Sequence, residues 1–251
     1  MDSKLMIPAS IIIAAIVIAG ALFMVNKGGS PTVADNNGDD GQTEDIAKDM
    51  KPISEADHIL GNPNAEIIVV EYSDTECPFC KRFHETMHQV IDEYGKDGKV
   101  AWVYRHFPLE QLHSKAAKEA EATECAFDQG GNITFWAYTD RLYEITPSNN
   151  GLDLDLLPQI AEDVGLDGAK LEECLDNGDN KKKVADGLAD AFASGGRGTP
   201  HNIMLVGDEK IAIPGAQPFS AMKAAIDAVL AESDTTDTTD ETVEEDTVDT
   251  E

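Results

Sequence analysis

Residues 66–83 read EIIVVEYSDTECPFCKRF, and this stretch decides the fold. Glu66 to Tyr72 is β-rich and apolar on both faces, the pattern of a strand in the middle of a sheet. After the turn Ser73-Asp74-Thr75-Glu76, the segment from Cys77 to Tyr94 carries Phe83, Met87, Val90 and Ile91 at helical spacing. The motif Cys77-Pro78-Phe79-Cys80 therefore opens a helix. There the unpaired backbone N–H groups and the macrodipole favour negative charge, so the first sulfur should ionise readily. Pro78 suits the first turn, where its missing N–H would have had no partner. Phe79 completes the dipeptide, and Cys80, one turn on, can reach Cys77 to close or open a disulfide. In this reading Cys77 exchanges with a partner's sulfur through a mixed disulfide and Cys80 resolves it. A strand before and a helix after make the C-x-x-C signal strong.

Further along the same helix, His84 and His88 extend the series to C-x2-C-x3-H-x3-H. From Cys77 to His88 the helical rise is about 16 Å, whereas ligands of one zinc ion lie within roughly 2.0–2.3 Å of it. Four ligands on one straight helix cannot converge, so no metal site is expected. His84 and His88 read as exposed helical residues, with electrostatic tuning of the sulfurs by His84 as the alternative. Thr199-Pro200 follows a glycine-rich turn and precedes a strand. It reads either as a turn proline or as a cis bond that leaves the Thr199 backbone free to pair with an extended peptide. His201, next in the chain, is a candidate modulator of Cys77, or a distant ligand should the cysteines hold a metal.

Around this centre the remaining segments order themselves. Val100 to Arg105 reads as a second strand, and helical patterns follow at Lys115 to Phe127, Thr134 to Ile145, Leu154 to Val164 and Lys181 to Phe192. Asn202 to Val206 and Lys210 to Ile213 flank Gly207-Asp208, a hairpin signal, and Pro218 to Leu230 reads as a last helix. The expectation is an α/β domain over 52–231 with a helical insertion at about 113–193. Leu5 to Val25 is an unbroken apolar run, long enough to span a bilayer and longer than the usual 7 to 15 residues of a cleaved signal. Residues 1–27 are thus expected to be one transmembrane anchor, 28–51 a flexible acidic linker and 232–251 a disordered acidic tail. A formal net charge of -29 excludes a sequence-independent grip on nucleic acid.

Residues 52 to 231 resemble the DsbA-like branch of the thioredoxin superfamily. The resemblance rests on DHILGNPNAEIIVVEYSDTECPFCKRF, YRHFPLEQLHSKAAKEAEATECA, FWAYTDRLYE, LEECLDNG, GTPHNIMLV and IPGAQPFSAMKAAID, in that order. It implies a thioredoxin-like fold with a helical insertion, with Cys77 as nucleophile, Cys80 as resolving thiol and Pro200 as a cis proline behind Thr199. It also implies disulfide exchange with exported proteins outside the cytoplasm. The dipeptide is Pro-Phe, not the Pro-His of strongly oxidising members, so the redox poise is open; an oxidase is the expected activity, a reductase or isomerase the alternative, and a non-catalytic metal-handling or chaperone module the other class. No cofactor is expected, and a membrane partner that resets the redox state is inferred from the anchor. The two further cysteines, Cys125 and Cys174, read as a structural disulfide, with two buried free thiols as the alternative.

Overall fold

In the computed structural model, which describes residue 47 and residues 49–237, five strands form one mixed sheet. They are β1 (His58–Leu60), β2 (Ile67–Ser73), β3 (Val100–His106), β4 (His201–Val206) and β5 (Glu209–Ile213), ordered β1-β3-β2-β4-β5. β2 and β3 are parallel, and every residue of β3 is buried, as a strand covered on both faces requires. Their crossover is α1 (Pro78–Val90), which ends in a π-helical turn at Ile91–Gly95. β4 runs antiparallel to β2 and forms a hairpin with β5, turning at Gly207, whose φ of 56° suits glycine.

Between β3 and β4 the chain builds the helical insertion: α2 (Ala116–Gly130), α3 (Asn132–Ile145), α4 (Leu157–Asp163), α5 (Gly168–Asn177) and α6 (Lys181–Ala193). Its own core packs Cys125, Tyr138, Leu142, Leu157, Ile160 and Leu171. α6 lies close against β3, because Gly187 has no Cβ; one built there would meet the His106 carbonyl oxygen at 3.0 Å. A second core, including Val70, Tyr72, Val103, Phe107, Ala191 and Ile203, fills one side of the sheet. On that side Arg105 pairs with Asp57 at 2.7 Å and with Asp190 at 2.8 Å, tying β3 to α6 and to the chain before β1. The insertion thus docks through both apolar packing and a buried ionic network.

The chain divides into two units, residues 38–219 and a second comprising 1–37 with 220–251. Residues 220–237 of α7 (Phe219–Asp237) are the described part of the second, and the buried Ala221, Met222, Ala225, Ile226 and Val229 fall on one helical face.

Three boundaries differ from the sequence expectation. β1 is an additional edge strand, only three residues long and antiparallel to β3, too short to carry a periodic signal. The folded body begins before Pro52: Ala47 and Met50 are buried, Ala47 N–H donates to the Ser194 carbonyl, and Lys51 N–H donates to Asp190. The final helix continues past 231 to Asp237, so the tail begins as helix. The expected anchor in 1–27, most of the linker and residues 238–251 lie outside the described residues. Among the described residues, no helix is long and apolar enough to cross a membrane.

Candidate active site

β2 delivers its C-terminal end to the loop that carries the cysteines. Cys77 is the N-cap of α1, with extended backbone (φ -81°, ψ 121°), and Pro78 is the first helical residue. Cys77 N–H donates to Asp74 O, and Lys81 N–H donates to Cys77 O, each at 3.0 Å, so the loop closes onto the helix start. Cys80 is fully buried, and its Sγ accepts the Asp74 N–H at 3.4 Å. Because β4 pairs with β2 with His201 opposite Tyr72, the residues just before β4 arrive beside the cysteine loop. The Thr199-Pro200 peptide there is cis, and the Cys77 thiol donates to the Thr199 carbonyl at 3.5 Å. Both cysteines are free thiols.

The two sulfurs are electrostatically unequal. Cys77 falls from the ordinary thiol value to about 6, chiefly because the Cys80 side chain hydrogen-bonds to its sulfur; burial opposes this, and the Thr199 side chain and the backbone N–H groups of Cys80 and Phe79 add to it. Cys80 is pushed well above the thiol range, first by burial, then by the hydrogen bond to Cys77 and the charges of Cys77 and Glu71. Glu71, fully buried in β2, accepts a hydrogen bond from Ser73 Oγ at 2.6 Å, and burial raises its carboxyl to about 8. A thiolate, a protonated thiol and a protonated carboxyl therefore coexist at neutral pH.

Titrating thiolate absorbance should give a midpoint near pH 6 for Cys77, and a midpoint in the ordinary alkaline thiol range would contradict this account. The depressed pKa stabilises the reduced form by about 1.4 kcal/mol at pH 7 relative to an ordinary pair, or roughly 30 mV. That stabilisation is greatest above the ordinary thiol range and disappears as pH falls through the folded value near 6.

The loop is braced by buried carboxylates. Asp74 accepts from Leu109 N–H and pairs with His113, while Glu76 accepts from the backbone N–H of Asn150 and Leu152. Glu119 of α2 lies beside them; burial first, then the neighbouring Glu76 carboxyl, pushes its own carboxyl up to about 9. Its folded pKa is raised, so its stabilising contribution is complete below the ordinary range near 4.5 and is lost as pH rises through about 9. Glu119→Gln, neutral at every pH, should therefore be more stable than wild type by about 1–3 kcal/mol at pH 7, with the gap widening from pH 5 to 9. Thermal melts across that range check it, and a pH-independent gap would count against the shift.

The other candidate residues are distributed differently. Phe79 is 54% exposed, with the Arg82 guanidinium 5.2 Å from its ring centre, so the dipeptide presents an apolar surface to solvent beside the buried sulfurs. His201 turns toward the Tyr72 ring and the Ser194 carbonyl, while Thr199 is the neighbour that acts on Cys77. His84 is buried, correcting the expectation of an exposed residue. α1 turns it inward among Trp102, Trp136 and Tyr143, and its Nε2 lies 2.8 Å from Asp140. Cys125 and Cys174 are joined in a disulfide between α2 and α5. Sequence reasoning passed over Glu71; its signal was a lone acid inside an otherwise apolar buried strand.

The mixed sheet, the helix opened by Cys-Pro-Phe-Cys and the cis proline opposite it define a thioredoxin-fold oxidoreductase of the thiol-disulfide class. Residues 54–228 match the family described as Thioredoxin, and the chain belongs to that family. Among solved structures, DsbA2 of Pseudomonas aeruginosa is similar at 27% identity and a TM-score of 0.58, covering 70% of this chain and 96% of that one. A thioredoxin-like oxidoreductase from Silicibacter pomeroyi DSS-3 is also 27% identical, with a TM-score of 0.56 and 70% and 92% coverage. Oxidised BdbD from Bacillus subtilis, at 21% identity, shares the fold with a TM-score of 0.64 and covers 74% of this chain and 99% of that one. Curated relatives include Na(+)/H(+) antiporter NhaA 1 of Mycolicibacterium gilvum (strain PYR-GCK), 42% identical over 38% of this chain and 15% of that protein. Another is NhaA 3 of Salinispora tropica, 33% identical over 64% and 23%. The chain therefore spans less than a quarter of the length of these relatives.

Proposed function

We propose that this chain is an extracytoplasmic disulfide oxidase acting on exported proteins through Cys77 and Cys80. The observation that carries the reading is the inequality of the sulfurs: Cys77 is stable as an anion and Cys80 is not. A client thiolate attacks Cys77 Sγ of the Cys77–Cys80 disulfide; the S–S bond breaks and its electron pair leaves on Cys80. Glu71, within electrostatic reach of Cys80 and with its carboxyl pushed up by burial, is the proton source for Cys80 in this reading. A second client thiolate then attacks the client sulfur of the mixed disulfide, releasing Cys77 as its stabilised anion and the client as a disulfide. A low-pKa leaving group favours that last step.

The test is the equilibrium of the pair against glutathione, together with turnover on a reduced, unfolded protein. The expected potential lies above the roughly -270 mV of a reductase, displaced toward the roughly -120 mV of a strong oxidant, with turnover. A value near the latter would assign a reductase or isomerase, and no turnover with Cys77 intact would assign a binding module.

Leu5 to Val25 anchors the domain on the outer side of the membrane in this reading, close to a membrane partner that reoxidises the pair. The apolar length of that stretch and the Cys125–Cys174 bond, of a kind that persists in oxidising compartments, support it. Protease digestion of the domain in intact spheroplasts checks the placement, and full protection would sink it.

A further inference from the structure

Independently of the thiols, two histidines of α1 and one aspartate of α3 converge. His84 Nε2 and His88 Nε2 each lie 2.8 Å from Asp140 Oδ1, and the two nitrogens are 3.2 Å apart. We propose that His84, His88 and Asp140 form a binding site for a divalent transition metal, zinc above all. A triangle with these sides has a circumradius of about 1.7 Å, so an ion with bonds of 2.0–2.1 Å sits roughly 1.1 Å above its plane, touching all three atoms. Ligand atoms of a tetrahedral zinc are about 3.3 Å apart, so the two nitrogen–oxygen sides of the triangle need open by about half an ångström and the nitrogen–nitrogen side hardly at all.

The chemistry of the cluster fits the same ion. Two neutral imidazoles that both donate to one oxygen cannot also hydrogen-bond to each other across 3.2 Å. A cation instead uses both nitrogen lone pairs and the carboxylate. Glu85 and Asp92 add negative charge around the rings. Imidazole and carboxylate together suit zinc, whereas calcium takes all-oxygen sets. The fourth position is accessible: His84 is buried and fixes the base, while the side chains of His88 and Asp140 are 37% and 44% exposed.

Another cluster, His58, His106 and Glu124, is equally tight but lacks this character. There the Lys183 ammonium lies 2.6 Å from Glu124 Oε2 and 3.3 Å from His58 Nε2, occupying the place of a cation. Four ligands on one straight helix cannot converge on an ion. Two ligands one turn apart can, and the third comes from α3. The run His84-Glu85-Thr86-Met87-His88 has the H-E-x-x-H spacing that puts two zinc-binding histidines on one helical face. Glu85, which is exposed, lines a separate recess with Arg82, Thr86 and Gln89, so only the two histidines of the pattern face Asp140. Bound metal would tie the helix that begins at the cysteines to the helical insertion.

The test uses the full chain with Cys77–Cys80 oxidised, so that those thiols cannot bind metal. Co2+ is titrated while visible absorbance and intrinsic fluorescence are followed, then displaced with Zn2+. The chain has only two tryptophans, and the rings of Trp102 and Trp136 lie 5.0 and 6.4 Å from that of His84, so quenching reports on this site. One equivalent should bind saturably with quenching and tetrahedral Co2+ absorption. His88→Gln and Asp140→Asn, at half-exposed positions, should each weaken binding by at least about tenfold while melting like the metal-free wild type. No saturable uptake by the oxidised chain, or equal uptake by both variants, would overturn the proposal.

Discussion

Cys77→Ser is expected to abolish disulfide exchange, with turnover on a reduced client falling on the order of a thousandfold or more, because no other group can replace the nucleophilic sulfur. With its pKa near 6, Cys77 is about nine-tenths thiolate at pH 7, whereas Cys80, fully buried and pushed above the thiol range, stays protonated. Cys80→Ala should act differently. It keeps the attacking sulfur but removes the group that releases the client, so a covalent Cys77–client adduct should accumulate when the variant meets an oxidised partner. Non-reducing electrophoresis and intact mass would show it. Residual turnover in Cys77→Ser, or no adduct in Cys80→Ala, would refute the assignment of roles.

The second large effect concerns stability. Cys125 and Cys174 are 49 residues apart and are joined inside the core of the helical insertion. In the chain-entropy treatment such a crosslink stabilises the fold by about 4 kcal/mol through its restriction of the unfolded chain. The double variant Cys125→Ala/Cys174→Ala should therefore melt about 8–16 °C lower than wild type, at 2–4 °C per kcal/mol for a domain of this size. Cys125 is 1% exposed among Ala122, Ala126 and Leu171, so lost packing acts in the same direction. Mild reductant should open the Cys77–Cys80 pair before this one, as mass mapping of labelled thiols would reveal. A fall of less than about 2 °C would mean that helix packing, not the crosslink, holds the insertion together.

Much of the architecture was legible without coordinates. The strand 66–72, the helix begun at Cys77, the strand from Val100, four of the insertion helices and the β4–β5 hairpin announce themselves by period and turn residues, and their observed ends lie within a few residues of those expected. Those signals are local: each depends on which face of its own element a residue occupies. β1 escaped because three residues carry no period, and the early start of the fold escaped because a polar, glycine-rich approach hides two buried residues, Ala47 and Met50.

What the amino-acid sequence by itself determined was the reactive pair: two sulfurs one turn apart at a helix N-terminus, where chain direction alone supplies the positive end of the dipole. Tertiary structure alone decided which groups surround them. Register places Glu71 within electrostatic reach of Cys80, the approach of α2 brings Glu119 to Glu76, and the crossing of α1 and α3 brings Asp140 to His84 and His88. These partners are 9, 43 and 52–56 positions apart along the chain. Meetings across such separations follow from strand pairing and helix packing, which no short-range pattern of residues encodes.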